Sequence, residues 1–170
     1  TFIISKYICP EIEVSSELIH PSCFAMCNGS IQLSINGGTL PYTLNWSNSL
    51  ADTFIVNLCG GSYEVNINDS KNCTQTEKFT LVEPQILTSI LDSINNVTCH
   101  GLCDGLITVK SSGGVGMLVY EWSNGSINPT NDELCPGEYI LLVTDENQCK
   151  HQDTFSIVEP ENITITLDSI

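Results

Sequence analysis

The stretch from Leu58 to Cys73, LCGGSYEVNINDSKNC, returns from Leu134 to Cys149 as LCPGEYILLVTDENQC, and no other feature constrains the fold of this chain as strongly. Each copy reads as a turn, a strand and a second turn, with a cysteine at either end. Tyr63, Val65 and Ile67 alternate with Glu64, Asn66 and Asn68, the period-two signature of a strand with one buried face. Tyr139, Leu141 and Val143 hold the matching places in the second copy. The polar runs DSKN and DEN then reverse the chain.

The likeness spreads well beyond these strands. Aligned without a gap at an offset of 76, Cys23, Cys27, Gly37-Gly38, Trp46, Cys59, Asp69, Cys73, Phe79 and Glu83-Pro84 fall on Cys99, Cys103, Gly113-Gly114, Trp122, Cys135, Asp145, Cys149, Phe155 and Glu159-Pro160. About a quarter of positions in one period are identical, which marks a tandem array. Residues 1–13 read as the end of a preceding repeat, with Phe2 and Ile4 echoing Phe79 and Leu81. Residues 14–84 and 85–160 form two full units, and 161–170, which match Gln85 to Ile94 in register, read as the start of a following one. Within each unit short alternating runs lie between Gly, Asn and Pro, with no helical periodicity. The expected class is all-β, as tandem antiparallel β-sandwich repeats stapled by disulfides.

The staples are expected because a unit of about 75 residues has a small core, and four cysteines recur at one spacing in each unit. That usage points to an oxidising, extracellular setting. A tetrathiolate zinc set is the rival reading, although the two tight knuckles usual in structural zinc sites are missing. Four cysteines allow three connectivities. The favoured one joins Cys23 to Cys73 and Cys27 to Cys59, repeated as Cys99 to Cys149 and Cys103 to Cys135. It carries a tension: a seven-residue strand spans about 23 Å, so Cys59 and Cys73 stand near opposite ends of one strand. Cys9 has no counterpart, and its expected partner lies outside the chain, with an intermolecular bridge as the alternative.

A net charge of −15 with only five basic residues argues against nucleic-acid binding and against docking on an anionic membrane, both of which need Lys and Arg. No run is long enough to insert in a membrane as a helix. Expected partners are neighbouring repeats, further copies in a filament, or surface polysaccharide. His20, His100 and His151 occupy non-equivalent positions outside any nucleophile or metal motif, so neither catalysis nor a cofactor is expected. Asp145 and Glu146 read as a solvated turn, with calcium ligation as the alternative. Trp46 and Trp122 are in phase with core positions, with sugar stacking as the alternative. Where the first unit turns Thr43, Glu64 and Asn66 outward, the second has Val119, Ile140 and Leu142, a candidate interface unless a loop or neighbour covers it.

The string Cys99, Gly101, Cys103, Asp104, Gly105, then Gly113-Gly114, then Tyr120 with Trp122 to Gly125, then Leu134-Cys135 through Asp145 to Cys149, resembles the SprB repeat. The first unit departs from that pattern at Ala25 and Ser49, and the second lacks the Pro-Tyr that follows the paired glycines. The resemblance implies immunoglobulin-like, non-catalytic modules strung in very large adhesins of gliding bacteria. It also implies export by the type 9 secretion route and a role in attachment or gliding. A carbohydrate- or calcium-binding β-sandwich module is the alternative. Asp92-Ser93-Ile94 and Asp168-Ser169-Ile170 resemble the O-glycosylation signal of the same bacterial group, which makes Ser93 and Ser169 candidate acceptors. The sequons at Asn45 and Asn96 would count in a eukaryotic source.

Overall fold

The structure is a computed structural model and describes residues 8–165; the expectations for Phe2, Ile4 and Ser169 lie outside them. The chain divides into two compact units, Thr1–Pro84 and Gln85–Ile170.

In the first unit the strands are β1 (Ile12–Ile19), β2 (Gly29–Gly37), β3 (Thr43–Trp46), β4 (Phe54–Leu58), β5 (Gly61–Asn68) and β6 (Thr74–Leu81). The second runs β7 (Thr88–Asn95), β8 (Gly105–Ser112), β9 (Val119–Trp122), β10 (Thr130–Leu134), β11 (Gly137–Thr144) and β12 (Lys150–Ile157). All pairings are antiparallel. The first unit forms sheets β1-β2-β4 and β3-β5-β6, and the second repeats this as β7-β8-β10 and β9-β11-β12. With the strands lettered in chain order and strand D absent, these are the ABE and CFG sheets of an immunoglobulin-like sandwich.

Alternation decides what lies between the sheets. Ile31 and Leu33 on β2 face Leu44, Trp46, Val65 and Ile67 from the other sheet, and all six are buried. Ile107, Val109, Trp122, Leu141 and Val143 do the same in the second unit. Each tryptophan leans on the last strand, with ring centroids 5.9 Å apart for Trp46–Phe79 and 5.7 Å for Trp122–Phe155. Its indole N–H is satisfied by a backbone carbonyl, that of Asp52 at 3.0 Å or Asn128 at 2.9 Å. The tryptophans are therefore core residues and offer no sugar platform.

The first strand of each unit is the part that alternation did not reveal. β1 starts at Ile12, whose side chain is buried in the unit's own core, so residues 8–13 belong to this unit and are not the tail of a preceding one. The paired glycines explain how β1 and β2 meet so closely. Gly37 has φ of 78°, and a Cβ there would stand 2.1 Å from the Glu11 carbonyl oxygen. At Gly113 the same atom would stand 1.9 Å from that of Ile86. No other residue type fits either place.

Candidate functional site

Cysteines tie the ends of the central strand, one bond in each unit as the spacing favoured and the other not. Cys27 joins Cys59 and Cys103 joins Cys135, both across 32 residues. Cys73 is bonded to Cys9, not to Cys23. The reason is the strand that sequence reading missed: β1 carries the chain the length of the unit, about 25 Å for eight residues. Cys23, after β1, thus stands at the Cys59 end of β5, while Cys9, before β1, stands at the Cys73 end. The expected Cys99–Cys149 bond fails for the same reason, and Cys99 is an exposed free thiol. It borders a hollow of about 390 Å³ lined by Thr98, His100 and residues 160–163.

Beside the last cysteine of each unit sits a buried carboxylate. Asp69 Oδ1 accepts the N–H groups of Lys71 (2.8 Å) and Cys73 (2.9 Å), while Oδ2 accepts that of Thr39 (2.9 Å). Asp145 takes the N–H of Cys149 on Oδ1 and of Val115 on Oδ2, both at 2.8 Å. Each aspartate thereby pins the turn after β5 or β11 to the loop that follows the paired glycines. Burial acts to raise the Asp69 pKa, but the N–H groups of Cys73, Lys71 and Thr39 outweigh it and hold the carboxyl below its ordinary value. Asp104 is likewise lowered, by the Thr98 hydroxyl and then the Thr98 N–H. Asp145 is thus not part of a solvated turn. Glu146 Oε1 accepts the N–H of Met117 at 3.1 Å, so neither acid is an open calcium ligand. Among the described residues no group of three or more His, Cys, Asp or Glu could hold a metal ion.

The remaining polar groups repeat the lesson. His20 Nδ1 accepts the Val82 N–H at 3.1 Å, and Asn96, its counterpart at the offset of 76, accepts the Val158 N–H at the same distance. His151 and Asp153, 3.0 Å apart, occupy the places of Gln75 and Glu77, 2.8 Å apart. Glu83 and Glu159 each accept an N–H from the C-x3-C turn: that of Ala25 at 2.8 Å and of Gly101 at 3.0 Å. Ala25 adopts φ of 57° where Gly101 has 79°, and Ser49 adopts 67° where Gly125 has 88°. The two departures from the repeat pattern keep its loop shape at the cost of backbone strain. Tyr63 and Tyr139 each donate from the hydroxyl to the carbonyl of Cys59 or Cys135 at 2.9 Å, the tyrosine corner of immunoglobulin-like sandwiches.

What remains for recognition is the outside. Ser93 is exposed on β7 beside a register shift, and its neighbour Asp92 pairs with Lys110 at 2.6 Å. Val119 and Ile140 are exposed and Leu142 half-buried on the outer face of β9-β11-β12. With Glu121, Trp122, Ser123 and Gln152, Ile140 and Leu142 line a groove of about 270 Å³. This groove is the candidate site.

Among curated proteins none matches the chain by sequence. Solved structures do match. The three N-terminal domains of the bacteriophage RB49 highly immunogenic outer capsid protein superpose with a TM-score of 0.52 at 16% identity, over 88% of this chain and 59% of that one. The N-terminal eight Ig domains of Down syndrome cell adhesion molecule give a TM-score of 0.45 at 12% identity, covering 90% of this chain and 25% of theirs. DIP-gamma IG1+IG2 gives 0.47 at 12% identity, covering 89% and 99%. At such identities the capsid protein shares a fold with this chain and nothing more. The SprB repeat family pattern matches residues 20–51 and 91–127, the segments that carry the first cysteine pair, the paired glycines and the tryptophan of each unit. The chain is thus a SprB-repeat-containing protein whose two units are immunoglobulin-like, disulfide-bonded β-sandwiches.

Proposed function

We propose that this chain is a non-catalytic segment of a large secreted cell-surface adhesin or filament, exported by the type 9 route, whose units serve as stalk and adhesive surface in attachment or gliding. One observation carries the reading. His20 in the first unit and Asn96 in the second make the same bond to the segment after the last strand, so this histidine does structural duty that a neutral amide does equally well. Disulfides at both ends of β5 suit an extracellular life, where a small core alone gives little margin. Neighbouring repeats, further copies of the chain and surface polysaccharide are the partners such a segment would meet. A carbohydrate- or calcium-binding module would need an open acidic loop or an exposed tryptophan, and Asp145 and Trp122 are both buried.

The test is antibody labelling of intact source cells, with Fab fragments against the second unit added to an attachment assay. Surface labelling together with reduced attachment supports the proposal. Labelling that needs permeabilised cells contradicts it.

A further inference from the structure

The two units share a fold but differ at one surface in a concerted way. β9 is an edge strand of its sheet, and β10 is an edge strand of the opposite sheet; residues 123–129 join them, so both edges lie on one flank of the second unit. In the first unit β3 is likewise an edge strand, but its surroundings are polar. Thr43 stands on β3, and the neighbouring face carries the Glu64–Lys78 ion pair at 2.9 Å and the Thr76–Asn66 hydrogen bond at 2.7 Å. In the second unit Met117 replaces Pro41, Val119 replaces Thr43, and Ile140 and Leu142 replace Glu64 and Asn66. Met117 is 74% exposed, Val119 61% and Ile140 43%. A polar edge has become an apolar one.

Charge changes on the same flank. Glu121, Asp132 and Glu133 are exposed where the first unit has the uncharged Asn45, Val56 and Asn57. Lys150 stands two strands away on β12. We infer that the β9 edge of the second unit takes up an extended segment of another protein, with apolar residues alternating with Lys or Arg, as an added strand. Apolar side chains of the segment would flank Val119 on the outer face of the sheet, and its basic ones, on the opposite face, would turn toward the β10 edge with Asp132 and Glu133. A second copy of this chain is a poor occupant, because each copy carries a net charge of −15. Such a partner would deepen the adhesive reading above, yet the binding itself stands or falls on the experiment below whether or not the chain is an adhesin.

The backbone supplies a specific readout. The Ser123 N–H donates to Ile140 on β11, while the Trp122 N–H turns away to Ser126. By strand alternation the Tyr120 N–H also points away from β11, toward the open edge. The experiment is NMR on the whole ¹⁵N-labelled chain, titrated with an acetylated octapeptide of alternating Val and Lys and with its Val and Glu counterpart. Expected are shifts confined to residues 117–123 and 138–144, exchange of the Tyr120 amide slowed by about tenfold or more, and binding that weakens with salt. The Glu peptide should bind at least about tenfold more weakly. The variant Ile140→Glu, Leu142→Asn, Thr154→Lys restores the first unit's residues, which that unit accommodates in the same strands, and should lose the effect. Absence of shifts, equal shifts in β3 and β4, equal binding of the Glu peptide, or shifts without Tyr120 protection would each overturn the inference. Sedimentation showing self-association through this face would replace the partner with a second copy and overturn it too.

Discussion

Replacing Asp145 with Asn tests whether the buried carboxylate is the clasp of its unit. The change keeps size and shape but puts an NH2 group against either the Val115 N–H or the Cys149 N–H, each now 2.8 Å from a carboxylate oxygen. One hydrogen bond to a charged acceptor is lost, at about 1.5–3 kcal/mol, and a donor is left facing a donor in a site only 2% exposed. The other bond loses its charge assistance. We expect a loss of about 2–4 kcal/mol, or roughly 10–20 °C in the melting temperature of a unit this size. Each unit holds one tryptophan, so in a Trp46→Phe background the fluorescence of Trp122 follows the second unit alone. Glu146→Gln, at an exposed carboxylate, is the control and should cost less than about 1 kcal/mol. A shift below about 0.5 kcal/mol for Asp145→Asn would show that water or relaxed loops satisfy Val115 and Cys149, and the clasp argument would fall.

Other expectations follow from the same geometry. Because the Asp69 pKa is lowered in the folded state, its contribution is present above the unfolded value near 4 and drains away as pH falls through the folded one. Urea unfolding of the first unit should therefore show a loss between pH 5 and pH 2 (approximate limits) that Asp69→Asn flattens. Ala25→Gly and Ser49→Gly should each stabilise the first unit by about 0.5 kcal/mol, relief of left-handed strain being partly offset by unfolded-state entropy. A Cβ at Gly101 would meet nothing within 4 Å, so Gly101→Ala reports that strain alone and should cost about 1 kcal/mol in the second unit. Cys9→Ser opens a crosslink across 64 residues and should cost the first unit about 4 kcal/mol in denaturant, leaving the second unit's transition in place.

Much of the fold was legible because its central strands have one buried face. Val65 with Ile67, and Leu141 with Val143, announced themselves by alternation, and the gapless offset carried every assignment from one unit to the other. β1 and β7 were not legible. They are edge strands with most side chains exposed, so IEVSSELI and TSILDSIN show little apolar pattern. Missing them misplaced Cys9 and hence the pairing of Cys73, since connectivity depends on which end of the unit each cysteine reaches. The clasps were hidden for another reason. Asp69 and Asp145 sit in runs whose composition reads as an exposed turn, and only the return of the loop at Thr39 or Val115 buries them. The apolar face at Val119, Ile140 and Leu142 was visible in sequence; that it adjoins a sheet edge at β9 needed the structure.

Mass spectrometry of a proteolytic digest made without reduction, after alkylation of free thiols, tests the account at its base. It should yield linked peptides for Cys9–Cys73, Cys27–Cys59 and Cys103–Cys135, and an alkylated Cys99. Peptides linking Cys23 to Cys73 or Cys99 to Cys149, or reduced thiols accompanied by stoichiometric zinc, would contradict it.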